Sequence, residues 1–217
     1  MIDTTYLSKL SDVFSDPIVS AFARRYALAL QTPNHFVEML FLVEDKRFPI
    51  HFGIDPIAIG RALIFNARGC RLQGASTIVQ QIYTIRRSKL HPPVRTIGHK
   101  VDQSTWAILH SLSTPKISIL TEYVETVYWG RSYRGIDSAA RGYLNSLRQN
   151  LSAEQSFFLV ERIATPNGVS AARICNLLRR SAISRKIRSG GMRVSEVVRI
   201  YDHIYGCGGN LWRMLAK

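Results

Sequence analysis

The chain has 217 residues, 46% of them hydrophobic, 20% charged and 10% aromatic, which is the balance of a folded protein with a core and excludes a disordered or collagen-like one. Its 29 Lys and Arg against 15 Asp and Glu give a formal charge of +14, an excess that calls for an anionic partner: nucleic acid, an anionic lipid surface or a phosphorylated substrate. The longest window without Asp, Glu, Lys or Arg, Leu72–Ile85, holds 14 residues, too few for a transmembrane helix. Met1 to Lys9 lacks the basic-then-apolar order of a signal peptide, so the sequence predicts a peripheral chain. Cys70, Cys175 and Cys207 have neither metal-ligand spacing nor the even number of a disulfide framework.

Helical signals run the length of the chain. Asp16 before Pro17 is a cap followed by proline at the first helical position, and opens a helix over 17–30 that Thr32-Pro33-Asn34 stops. A second apolar helix covers 35–43. Asp55-Pro56 starts a third, running through Ile57, Ile59, Ala62, Leu63 and Phe65. The small residues Gly74–Thr77 lead into a helix over 78–85, and further helices cover 97–112 and 116–129, separated by Ser113-Thr114-Pro115. Helices over 136–145 and 152–164 follow, ended by Pro166-Asn167-Gly168. The tail from 170 is basic and helical, broken at Gly190-Gly191 and at Gly206–Gly209. The expected fold class is all-α. Three segments are distinguished: an N-terminal helical segment over 1–31, a central domain over 32–167, and a basic helical extension over 168–217 packed on the same domain.

Charge is uneven. Between Pro56 and Val101 there are eight basic residues and no acid. Between Ala171 and Arg199 there are eight against one, Glu196. Four segments carry candidate chemistry. In the first, Glu44 and Asp45 end an apolar helix, followed by Phe48, His51 and Gly53. Neighbours on a helix point about 100° apart, so the two carboxylates share one cleft only if the helix ends there. A carboxylate against an apolar wall has a raised pKa and serves as a general base. In the second, Gly74-Ala75-Ser76-Thr77 offers backbone and hydroxyl donors at a helix start, with Gln80 and Gln81 one turn on. The third, His99 to Gln103, contains Lys100, a point charge suited to phosphate. The fourth, Lys116 to Tyr143, is more structural: an amphipathic helix, a glycine turn and a small-residue helix.

In this order and spacing the segments resemble the family 51 glycosyltransferases, the peptidoglycan transglycosylase domain of penicillin-binding proteins and of monofunctional biosynthetic transglycosylases. Glu44, Asp45, Phe48, His51 and Gly53 match every defined position of the pattern E-D-x-x-F-x-x-H-x-G, and Arg61, Ala62 and Asn66 fall where the family commonly has them. The second pattern, G-G-S-T-I-T-Q-Q, survives at Gly74, Ser76, Thr77, Ile78, Gln80 and Gln81. The fourth is met by Lys116, Ile119, Leu120, Tyr123 and Gly130, and by the run Gly135–Tyr143. Ala75 and Val79 are small changes, and two motifs depart further. Thr84 stands where the pattern Q-Q-L-A-K-N has lysine, and the third pattern, R-K-x-x-E, reads His99, Lys100 and Gln103.

The resemblance implies a helical, lysozyme-like domain of two lobes. It implies polymerisation of lipid II into glycan strands with release of undecaprenyl diphosphate, on the periplasmic face of the bacterial cytoplasmic membrane. Glu44 would deprotonate the acceptor hydroxyl, and Gln103 would occupy the second catalytic position. Asp45, His51, Ser76, Thr77, Gln80, Gln81, Arg86, Arg87 and Lys100 would bind substrate, and a divalent metal, Mg or Mn, would assist the leaving group. Partners would be lipid II, the growing strand, an anionic membrane surface and other cell-wall synthesis proteins. The alternative is a weak or inactive relative that binds lipid II or nascent glycan as an assembly scaffold. A nucleic-acid partner would explain the charge and none of the motifs.

Overall fold

A computed structural model of the chain describes residues 19–67, 74–88 and 96–216, without the side chains of 65–67. The expected helix start at Asp16-Pro17 lies outside these residues, as do Cys70, Arg68, Arg71, Lys89 and Arg95. The described helices are α1 (19–30), α2 (Asn34–Glu44), α3 (Pro56–Ala67), α4 (Ile78–Ser88), α5 (Ile97–Ser113), α6 (Lys116–Thr126), α7 (Ile136–Leu144), α8 (Ala153–Ala164), α9 (Ala171–Leu178), α10 (Ser181–Arg188), α11 (Val194–Tyr205) and α12 (Gly208–Leu215). A short 3-10 turn covers Arg148–Asn150. The fold is mostly helical, as the periodicity predicts.

Two segments differ from their expected form. Helix α6 stops at Thr126, three residues early, and Tyr128–Gly130 (β1) pairs antiparallel with Tyr133–Arg134 (β2). The turn between them needs left-handed backbone at Gly130, Arg131 and Ser132, with φ of 94°, 48° and 68°. A Cβ on Gly130 would sit 1.9 Å from the Pro166 carbonyl oxygen, so the glycine is required. The tail also has a break that its glycines do not announce, at Arg179-Arg180 between α9 and α10.

The chain divides into two compact units, one made of Met1–Lys46 with Val127–Lys217, the other of Arg47–Thr126. In the first, α2 packs on α8, α8 on α11 and α11 on α12. Phe36, Leu40, Phe157, Phe158 and Trp129 are fully buried, with Phe158 edge-on to Tyr143 and Tyr201. Three contacts pin α2: His35 Nε2 on the Leu151 carbonyl at 2.6 Å, Lys186 on Glu38, and Arg180 donating to the Leu42 carbonyl at 3.2 Å. The last places a cation on the carbonyl end of α2, the favourable sign for the helix dipole.

In the second unit α4 packs on both α5 and α6. Asp55 caps α3 through the Ala58 N–H at 3.0 Å and receives Arg47 Nε at 2.9 and 3.0 Å, both residues buried. This unit also exposes apolar side chains: Phe52 before α3, Ile57 and Leu63 on it, and Ile97, Val101, Leu109 and Leu112 on α5. No described helix is long and apolar enough to cross a membrane.

Candidate active site

Helix α2 ends at Glu44, half-buried, and the next residue, Asp45, is buried with φ −156° and ψ 83°. The two carboxylates therefore leave the helical 100° relation, the condition under which an adjacent pair can share a cleft. The Asp45 N–H donates to the Phe41 carbonyl at 3.1 Å and closes the last turn. Both residues belong to the first unit, whereas the rest of the motif opens the second.

Phe48 is fully buried, His51 is edge-on to it, and the Lys116 ammonium lies 4.8 Å from the Phe48 ring centre while donating to the His51 carbonyl at 2.5 Å. The first and fourth sequence segments thus meet at one place. Gly53, with φ 84°, passes so close to α5 that a Cβ would lie 2.1 Å from the Ala107 carbonyl oxygen. Its own carbonyl accepts from the Thr77 hydroxyl at 2.6 Å. The glycine is needed because α5, the α4 start and this loop converge there.

Thr77 and Gln80 form a reciprocal cap on α4: the Gln80 N–H reaches the Thr77 hydroxyl at 3.2 Å, and the Thr77 N–H reaches Gln80 Oε1 at 3.0 Å. Both are buried, so these two groups hold the backbone and present little to a ligand. Gln81 accepts from the Tyr123 hydroxyl at 2.7 Å, which ties α4 to α6.

The third segment folds against the second. Gln103, buried on α5, donates from Nε2 to the Gln80 carbonyl and to the Thr84 hydroxyl, both at 2.8 Å. Its Oε1 accepts from the Lys100 ammonium at 2.7 Å, and that ammonium also lies 3.3 Å from the Ser76 hydroxyl. Among the described residues Lys100 meets no carboxylate, and burial draws its pKa below the usual lysine range. Asp102 is exposed and does not replace the missing acid.

The two arginines differ. Arg86 donates twice to Glu122 at 2.6 Å and lies over Trp106 at 5.2 Å, so it is engaged within its own unit. Arg87 follows on the next face of the helix and is half-buried. The second unit therefore brings Ser76, Thr77, Gln80, Thr84, Lys100 and Gln103 together, with Arg86 turned to a different partner. Sequence reasoning missed Thr84 as a contact of Gln103; the i, i+4 offset from Gln80 places it one turn along the same face, a signal that was available.

The family model described as Transglycosylase matches residues 14–188. The chain belongs to the transglycosylase family. It is 33% identical over 137 residues, 63% of this chain and 18% of the relative, to a penicillin-binding protein 1A of Aquifex aeolicus. It is 35% identical over 130 residues, 60% of this chain and 53% of the relative, to a biosynthetic peptidoglycan transglycosylase of Pseudomonas fluorescens, and 31% identical over 143 residues to that of Stutzerimonas stutzeri. The match spans just over half of these two relatives and under a fifth of the first. In this chain the donor set around Gln103 does not suit a divalent cation. Its one inward oxygen is a neutral amide already facing an ammonium, whereas Mg and Mn take charged or free oxygens. The described residues contain no group of three or more His, Cys, Asp or Glu able to hold a metal.

Proposed function

We propose that the chain is a peptidoglycan glycosyltransferase that joins lipid II units into glycan strands. The observation that carries this reading is the intact first motif on its scaffold, with α2 terminating at Glu44 and Phe48, His51 and Gly53 each packed in place. Glu44 takes the proton of the acceptor 4-hydroxyl as that oxygen attacks the anomeric carbon. The bond from that carbon to the diphosphate oxygen breaks, the electron pair leaves with undecaprenyl diphosphate, and the configuration inverts. Lys100 faces the leaving diphosphate, and Gln103 and Ser76 hold its ammonium. Asp45 follows Glu44 at the end of α2, His51, Thr77, Gln80 and Gln81 hold the backbone of the second unit, and Arg87 adds positive charge there. The exposed apolar side chains of α3 and α5, beside an acid-free basic stretch, suit an anionic membrane surface at the periplasmic face.

The test is polymerisation of labelled lipid II by the purified chain. Glu44→Gln preserves shape and removes the base, so turnover falls by about 10²–10⁴-fold while lipid II binding is retained. The amide at position 103 favours a second reading, an assembly scaffold that binds lipid II or nascent glycan. A wild-type chain that binds lipid II without turnover, unchanged by Glu44→Gln, decides for the scaffold.

A further inference from the structure

We infer that Thr84 and Gln103 form one coupled, neutral pair that fixes the Lys100 ammonium as the resident cation of this site, so that anion binding here needs no divalent metal. The inference rests on the glycosyltransferase reading only for the nature of the anion. Its basis is the hydrogen-bond polarity around Gln103. The Gln80 carbonyl has no proton to give, and the Thr84 hydroxyl directs its own towards that carbonyl at 3.2 Å. Both therefore act as acceptors towards position 103, and the two N–H groups of the amide donate to them at 2.8 Å each. The remaining oxygen then has to face Lys100, where it sits at 2.7 Å. The orientation of the amide is thus set by its partners.

A carboxylate at 103 would bring an oxygen against the Gln80 carbonyl in a buried place and would lose the bond donated to it, while the Thr84 hydroxyl would have to turn from that carbonyl to donate to the new acid. A lysine at 84 would supply the missing protons and a balancing charge. The departures at 84 and 103 are consequently partners across α4 and α5, and neither is a free-standing loss. The outcome is an ammonium held by one amide oxygen and one hydroxyl, with no carboxylate among the described residues of its own unit paired to it. Gln103 is in this sense a positioning residue that acts through Lys100.

The experiment has two arms on the full chain. In the first, melting midpoints are measured for Thr84→Lys, Gln103→Glu and the double variant. Gln103→Glu lowers the midpoint by about 3–8 °C, and the double variant recovers more than half of that loss. Additive losses, or a Gln103→Glu midpoint equal to wild type, would overturn the pairing. In the second, binding of inorganic pyrophosphate is titrated in EDTA and in Mg2+. The wild type binds in EDTA, is not strengthened by Mg2+, and loses about tenfold in affinity on Lys100→Gln; the double variant gains a metal requirement. Wild-type binding that depends on Mg2+ would overturn the metal-free site. Failure of these arms with lipid II polymerisation intact leaves the enzymatic reading standing, and metal-free pyrophosphate binding without polymerisation refutes that reading alone.

Discussion

Gly53 and Gly60 are seven residues apart in the same unit, and the structure assigns them opposite consequences. A Cβ at Gly53 meets the Ala107 carbonyl at 2.1 Å on a backbone with φ 84°, so Gly53→Ala strains the loop and forces α5 away. We expect a loss of about 3 kcal/mol or more in denaturant unfolding, with lower soluble yield. At Gly60, inside α3, nothing lies within 4 Å of the added methyl, and Gly60→Ala stabilises by about 0.5–1 kcal/mol in the same assay. The motif glycine was legible in sequence as part of a pattern, but its reason was not, because α5 lies more than forty residues further along. Gln103 shows the same limit. Its identity as a departure was visible, whereas its neutral fit depends on Thr84 and the Gln80 carbonyl, which meet it only after α4 and α5 pack.

Element boundaries were legible where the chain carries its own cap. Asp55-Pro56 starts α3 as expected, and Ser152 with Gln155 forms a full capping box at α8, with bonds of 2.9 and 3.2 Å. Ser152→Ala therefore costs about 1 kcal/mol, readable as a midpoint shift in thermal unfolding. The end of α6 was not legible, because Tyr128-Trp129 continues the apolar pattern and only the buried Trp129 and the strained turn after it enforce the hairpin. Within α8, Glu161 and Arg162 are adjacent and both fully buried, a combination that helical periodicity argues against. Tyr201 donates to Glu161 at 2.7 Å, and Arg162 lies among the rings of Phe158, Tyr201 and Tyr205. Arg162 also donates to Glu161, which Arg173 reaches only at 3.6 Å, so Arg162→Leu removes the main partner of a buried charge and should cost about 3–5 kcal/mol.

Helix α7 gives the pH dependence. Arg148 donates to Asp137 at 2.6 and 2.5 Å and holds its carboxyl below the usual carboxylate range. A depressed folded pKa means stability that is present above the unfolded value near about 3.9 and disappears as pH falls through the folded one. The gap between wild type and Asp137→Asn is therefore open at neutral pH, closes as pH falls through the depressed folded value, and is no larger than about 1 kcal/mol because the carboxylate is half exposed.

At the scale of the molecule, the +14 charge and the exposed apolar residues of the second unit act together. Sedimentation with anionic phosphatidylglycerol vesicles should exceed that with phosphatidylcholine, and should fall, without vanishing, on raising NaCl from about 0.1 to 0.5 M. Replacing Ile97, Val101 and Leu112 by Ser removes the salt-resistant fraction. The mostly helical class and the four segments were readable because they are local patterns. The division into units was not, since the first is assembled from both ends of the chain with the second inserted between them.

That insertion puts the ribosome into the problem. Helix α2 carries the apolar side chains of Phe36, Val37, Leu40 and Phe41, and its cover is α8, along with Leu151 and Lys186, 116 and 148 residues from their partners His35 and Glu38. At a synthesis rate of about 5–20 residues per second, α2 emerges roughly 5–20 s before the helix that shields it. During that interval the second unit, local in sequence, is able to close, while α2 waits with its greasy face bare. Nascent chains arrested near residue 150 should therefore be held by chaperones and degraded quickly, and those arrested beyond residue 190 released from that hold.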